Sequence, residues 1–231
     1  MIQNTGMHVI SGIETGNHIA KLKDDSPIDV AMAKATGATL TYEDGAQAVK
    51  LAREAVESFV QNGKREHPGS MRDAFYAKTG AFVRLESTRG RGSLRGCAGR
   101  YGIDERLGHV IVDEAIRAAS DDSCGSEVTT TELDSITISL YTVNERIQAE
   151  DPVEDLQIGT HGVAIESEKG RGWLYPTVPV EHDWSPREYL DRTCRKAGLP
   201  PNEWNSDSAR VILFDGQIFR EREPNGSIQE L

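Results

Sequence analysis

Three pairs of short apolar runs, each pair broken by a glycine-bearing connection, constrain this chain more than any other feature. Residues 82–86 alternate in polarity and are joined to residues 94–97 by the glycine-rich stretch 87–93. Residues 163–165 and 173–178 flank Gly-Arg-Gly at 170–172, and residues 211–214 and 217–219 bracket Asp215 and Gly216. Runs bounded in this way read as β-hairpins, and Asp-Gly is a two-residue loop whose twist matches that of paired strands. Hairpins, rather than repeated strand–helix–strand crossovers, predict a mainly antiparallel sheet.

Helical segments alternate with these pairs. Thr41 with Asp44 forms a capping signal, and Val49, Ala52, Val56, Phe59 and Val60 follow on one helical face before Gly63. A second helix carries Leu107, Val110, Ile111, Ala115 and Ala118, and a strand follows in which Ile136, Ile138 and Leu140 point one way. Ser185, Pro186 and Glu188 are the N-cap, first-turn proline and capping-box acid of a third helix, which Gly198 closes. Its apolar side holds Leu190, Cys194 and Ala197, which makes Cys194 a small buried hydrophobe. The fold class expected is α+β, a mainly antiparallel sheet with flanking helices. Residues 1–39 lack any sustained period and read as a weakly structured N-terminal extension, residues 40–221 as the folded domain, and residues 222–231 as a C-terminal tail. Met32 stands just before the first patterned segment, so a wrongly chosen start codon explains the extension as well as a functional tail does.

Charge narrows the function classes. The 231 residues carry 37 acidic and 26 basic side chains, a net charge of −11, and only eight of the basic ones are lysine. Such a surface disfavours nucleic acid and anionic membranes and suits a chain that repels its neighbours, including in a salty cytoplasm. No run approaches the roughly 20 apolar residues of a membrane span, and the first residues lack the pattern of a secretory leader, so a cytoplasmic location is expected. Cys97, Cys124 and Cys194 are odd in number and lack CxxC spacing, which suggests neither a disulfide framework nor a zinc site. GxGxxG and Walker patterns are absent as well, so no cofactor and no metal is expected. Nothing in the pattern indicates an oligomeric state.

The segment Ser-Leu-Arg-Gly-Cys-Ala-Gly at 93–99 carries the sharpest chemistry. Gly96 and Gly99 leave bare backbone around Cys97, which suits close approach by a ligand or by another part of the chain. A thiol there becomes a nucleophile if Arg95, Arg100 or a histidine lowers its pKa. His161, between Thr160 and Gly162, is the best partner in the sequence. Glu181, His182 and Asp183 could orient that histidine, but their spacing does not gather metal ligands. Arg84, Arg89, Arg91, Arg95 and Arg100 stand against the single acid Glu86, a local excess that could grip an anionic group through forked hydrogen bonds.

Read in order, SLRGCAG at 93–99, GTHGVAI at 159–165, WLYPTVPVEHDW at 173–184 and CRKAGLP at 194–200 resemble the motifs of the AMMECR family: LRGC-x-G, an HG pair, an LPxV segment and a KAGLP helix end. The resemblance spans roughly residues 40–221. It implies a larger sheet-bearing part and a smaller subdomain, with the LRGC-x-G motif near a cleft between them. It also implies a setting alongside Memo-type proteins, which look like extradiol dioxygenases, and radical SAM proteins. It brings no established reaction. Ala98 stands where the family has isoleucine, Thr177 where glutamine is common, and residues 123–128 where a DPRF-like stretch lies.

The expected function is a binding module for a small anionic ligand or a protein partner, with Arg95, Gly96, Gly99, Arg100 and Glu181 as candidate ligand contacts. One alternative is a thiol-dependent enzyme using Cys97 and His161 on an anionic substrate. The other is nucleic-acid binding through the arginine-rich hairpin, which lacks interleaved aromatics and opposes the overall charge. No paired carboxylates, nucleophile elbow or metal cluster marks an enzyme.

Overall fold

A computed structural model describes residues 34–68, 72–89, 93–120 and 126–231. Arg91, Cys124 and all but the last residues of the predicted extension lie outside them. The described residues form one sheet of eight antiparallel-paired strands flanked by helices. The strands are β1 (Lys34–Thr36), β2 (Ala81–Ser87), β3 (Ser93–Arg100), β4 (Ile136–Gln148), β5 (Gly162–Ser167), β6 (Gly170–Leu174), β7 (Ala209–Glu221) and β8 (Ile228–Glu230). The helices are α1 (Tyr42–Asn62), α2 (Leu107–Ser120), α3 (Pro152–Asp155), α4 (Thr177–Glu181) and α5 (Pro186–Lys196). The α+β class is as expected. None of the described helices is long and apolar enough to cross a membrane.

The sheet runs β3-β2-β4-β7-β5-β6, with β1 added beside β4 and β8 beside β7. β1 and β8 therefore draw residues 34–36 and 228–230 out of the predicted extension and tail into the sheet. One face of β2, β4 and the distal half of β7 packs under α1 and α2, through Val83, Leu85, Ile138, Leu140 and Phe219. The same face of β5 and the proximal half of β7 packs under α5 through Val163, Ile165, Val211 and Leu213. The opposite face curls on itself. Trp173 of β6 and Phe82 of β2 lie 4.5 Å apart between ring centroids although three strands separate them in the sheet. Tyr101, Tyr141 and Phe214 complete that inner aromatic cluster; Phe214 stacks on Phe82 and Tyr101, while Tyr141 meets Phe82 and Phe214 edge-on.

The capping predictions hold in detail. Thr41 and Asp44 make a reciprocal capping box, and Gly63 closes α1 at φ 64°. Ser185 and Glu188 do the same for α5, whose Leu190 and Cys194 are fully buried.

Two turn predictions fail. Asp215 and Gly216 do not turn: β7 runs through them as one 13-residue strand. The glycine answers a different need, because β4 bulges between Val143 and Glu145 opposite it, and a Cβ on Gly216 would lie 1.7 Å from the Thr142 carbonyl oxygen. Gly-Arg-Gly at 170–172 likewise lies within β6. The chain turns one step earlier, at Glu168 and Lys169, and the end of α5 at Ala197 packs against both glycines. Thr177 and Val178, expected to extend that strand, instead begin α4.

Candidate functional site

Cross-strand register builds the site. Cys97 on β3 lies opposite Arg84 on β2, Arg84 opposite Ser139 on β4, and Ser139 opposite Arg220 on β7. Directly opposed residues share a face, so these four make one polar rung across four strands on the inner side. The adjoining rung is Gly99, Phe82, Tyr141 and Ile218. Over both rungs the chain leaving β6 lays Tyr175, Thr177 and Glu181, which with the sheet enclose a cleft of about 190 Å³.

Its electrostatics centre on Glu86, two residues after Arg84 on the same face. One carboxylate oxygen meets the Arg84 guanidinium at 2.9 Å and the other meets Arg220 at 3.0 Å. Arg84 and Tyr141 line the cleft, but Arg84 Nε and the Tyr141 hydroxyl are themselves buried, without a hydrogen-bond partner among the described residues. Burial, and then the nearby Asp215 charge, raise the Tyr141 pKa above the usual phenol value. Cys97, half-buried beside the cleft, donates from Sγ to Tyr175 Oη at 3.5 Å. Burial first and the Cys97 sulfur second push the Tyr175 pKa well above its ordinary value, so this phenol stays protonated at neutral pH.

The predicted site residues scatter around this cleft. Glu181 lines it, and Cys97 adjoins it. Gly99 lies on the inner face opposite Phe82, and its missing side chain makes room for that ring: a Cβ there would lie 2.0 Å from it. Gly96, opposite Leu85, lies on the helix-covered face. Arg95 points away to a carboxylate, pairing with Glu132 at 2.6 Å and donating to the Ser126 and Glu127 carbonyls. Arg100 reaches over α2 to the fully buried Glu114 at 2.6 Å and also pairs with Glu105. His161 caps its own turn: Nδ1 accepts from the Gln157 amide at 3.1 Å, and the His161 amide donates back to the Gln157 carbonyl at 2.9 Å.

Four acidic side chains, Glu86, Glu105, Glu114 and Glu132, thus pair with Arg84, Arg95 and Arg100 of the basic segment. Glu105, Glu114 and Glu132 lie outside the basic segment, so Arg95 and Arg100 are engaged by acids that the count along the segment leaves out. Among the described residues no three His, Cys, Asp or Glu side chains gather into a group able to hold a metal ion.

Sequence reasoning overlooked Ser139, Tyr141, Tyr175 and Arg220. One signal was available: Arg84 and Glu86 fall two apart on the inward side of an otherwise apolar strand, where charge is costly unless it is paired or used.

The AMMECR1 family model matches residues 49–219. The chain belongs to the AMMECR1 family. A relative in Halobacterium salinarum is 58% identical over 197 residues, covering 82% of this chain and 94% of its own length. One in Methanocaldococcus jannaschii is 38% identical, with 83% and 96% covered. The crystal structure of an uncharacterized protein from Pyrococcus horikoshii superposes with a TM-score of 0.78 at 32% identity, covering 83% of this chain and 98% of that one. Two of the departures from the AMMECR motifs have a structural reading. Ala98 packs on the helix side of β3 at 7% exposure, and Thr177 lines the cleft at the start of α4.

Proposed function

We propose that this AMMECR1-family chain is a small-molecule-binding module whose ligand occupies the inner-face cleft beside Cys97. One observation carries the reading: a cleft of about 190 Å³ lies on the inner face, with Arg84, Ser139 and Arg220 of the polar rung lining it together with two tyrosines and an isoleucine. The walls fit the same role, with the rings of Tyr141 and Tyr175 and the Ile218 side chain facing the space.

The test is a fragment screen by ligand-observed NMR on the full chain and on Ser139→Trp, which fills the cleft from the centre of the polar rung. Fragments that bind the wild type and are lost from the folded variant support the module. Hits that are indifferent to the plug reject it.

Thiol chemistry is the second reading, favoured by the register of Arg84 directly opposite Cys97, since a neighbouring guanidinium stabilises a thiolate. In this reading Cys97 attacks an electrophile held in the cleft, and His161 is the candidate acid or base. Peptide-resolved alkylation of Cys97 against pH decides it. An inflection below about 7.5 supports an activated thiol, and one at about 8.5 or above leaves binding alone.

A further inference from the structure

We propose that the cleft takes an uncharged ligand with a ring-sized apolar body and one hydroxyl or amide group that hydrogen-bonds the Ser139 hydroxyl. This rests on the binding reading above and names its ligand class.

Charge decides first. Within the cleft Arg84 and Arg220 pair with the two oxygens of Glu86, at 2.9 and 3.0 Å. Glu181 and the terminal carboxylate of Leu231 belong to exposed residues of the lining, where water and salt screen them. An anion therefore meets two guanidiniums already held by Glu86, with two further carboxylates nearby, and a cation has to approach those same guanidiniums. The walls add no charge, because burial keeps the Tyr141 and Tyr175 phenols protonated at neutral pH. An ion loses its hydration on entering such a space and finds no free counter-charge there, which selects for a neutral molecule.

Ser139 supplies the polar contact. It sits at the centre of the polar rung, between Arg84 and Arg220. Its hydroxyl has no hydrogen-bond partner among the described residues. Unlike Arg84 Nε and the Tyr141 hydroxyl, it is not shut away behind the wall but opens to the cleft that Ser139 lines. A hydroxyl both donates and accepts, and so does a ligand hydroxyl or amide.

Size and walls decide the remainder. A cavity of roughly 150 Å³ lined by apolar side chains holds benzene. About 190 Å³ therefore admits a six-membered ring with one small polar group. Tyr141, Tyr175 and Ile218 give that ring apolar walls. Leu231 extends them: at 65% exposure its side chain gains little from its own fold, and a ligand in the cleft it lines removes part of it from water.

NMR titration of the full chain with benzyl alcohol tests this. Benzoate and benzylamine serve as the same ring with a negative or a positive charge, and toluene as the ring without a polar group. Benzyl alcohol is expected to bind about tenfold more tightly than either ion, since only the ions lose hydration without a counter-charge. Ser139→Ala is expected to weaken benzyl alcohol by about two- to tenfold, the range of a net neutral hydrogen bond, and to move toluene by less than about twofold. Circular dichroism confirms that the variant is folded. Ser139→Cys, which keeps the shape and only a weak donor, carries the hydroxyl comparison should the alanine variant unfold.

Benzoate or benzylamine binding at least as tightly as benzyl alcohol overturns the ligand class, and so does benzyl alcohol binding indifferent to loss of the hydroxyl. If none of the four binds while plug-sensitive fragments persist, the class falls and the module stands. If no fragment is plug-sensitive, both fall.

Discussion

Tyr141 carries a cost of the fold that a single atom sets. Its hydroxyl is buried and unbonded, so deleting it should help the unliganded fold. We expect Tyr141→Phe to raise the melting temperature by about 2–4 °C, the shift that roughly 1 kcal/mol produces in a chain of this size. A lower melting temperature in calorimetry would mean that the hydroxyl has a partner in solution. Legibility at this scale was uneven. That Cys97 stands among small residues could be read directly, yet the reason for Gly99 could not, because the Phe82 ring that requires it comes from another strand. Arg95 and Arg100 are visible in the sequence as cations, but Glu132 and Glu114, which engage them, are 37 and 14 residues away.

Among the elements, α1 is joined to the sheet by a buried ion pair. Arg53, 4% exposed, donates to both carboxylate oxygens of Glu221, at 3.0 and 2.5 Å, and to the Leu133 and Ile136 carbonyls. Glu221 in turn accepts the Ile138 amide at 2.9 Å. Arg53→Met strands a buried carboxylate and is expected to cost about 3–5 kcal/mol in urea unfolding. Adding Glu221→Gln, which neutralises the stranded charge and still accepts from Ile138, should restore more than half of that. A double variant no better than the single one would show that packing, not charge, holds α1.

The Arg95–Glu132 pair ties β3 to the turn before β4. The Arg95 hydrogen bonds, followed by those from Thr129, hold the Glu132 pKa at about 2 instead of 4.5. A folded pKa below the unfolded one stabilises at pH above about 4.5, and that contribution is lost as the pH falls toward about 2. Glu132 is partly exposed, so solvent screening keeps the effect modest. Glu132→Gln should lower the melting temperature at neutral pH and flatten its decline through that acid window. Parallel wild-type and variant curves would exclude the pair as a source of acid sensitivity.

For the molecule as a whole, charge and curl matter most. A net charge of −11 opposes compaction through self-repulsion. Salt shortens the screening length from about 10 Å at 0.1 M to about 3 Å at 1 M. The melting temperature is therefore expected to rise between about 0.1 and 1 M KCl, and a flat profile would remove salt adaptation as the explanation of the acidic surface.

Helix positions, caps, the antiparallel class and the family were written in the sequence, because capping boxes, apolar periods and motif order are local patterns that neighbouring residues determine. The cleft beside SLRGCAG was not. Its rung of Cys97, Arg84, Ser139 and Arg220 exists only through strand register, and its roof only because the sheet curls far enough for the chain after β6 to cover β2. A glycine's purpose and an arginine's partner are likewise properties of contacts between distant segments. Packing decided that Asp215 and Gly216 continue a strand, and tertiary pairing joined Arg95 and Arg100 of an apparent basic hairpin to carboxylates beyond it, while Arg84 shares Glu86 with Arg220 at the cleft.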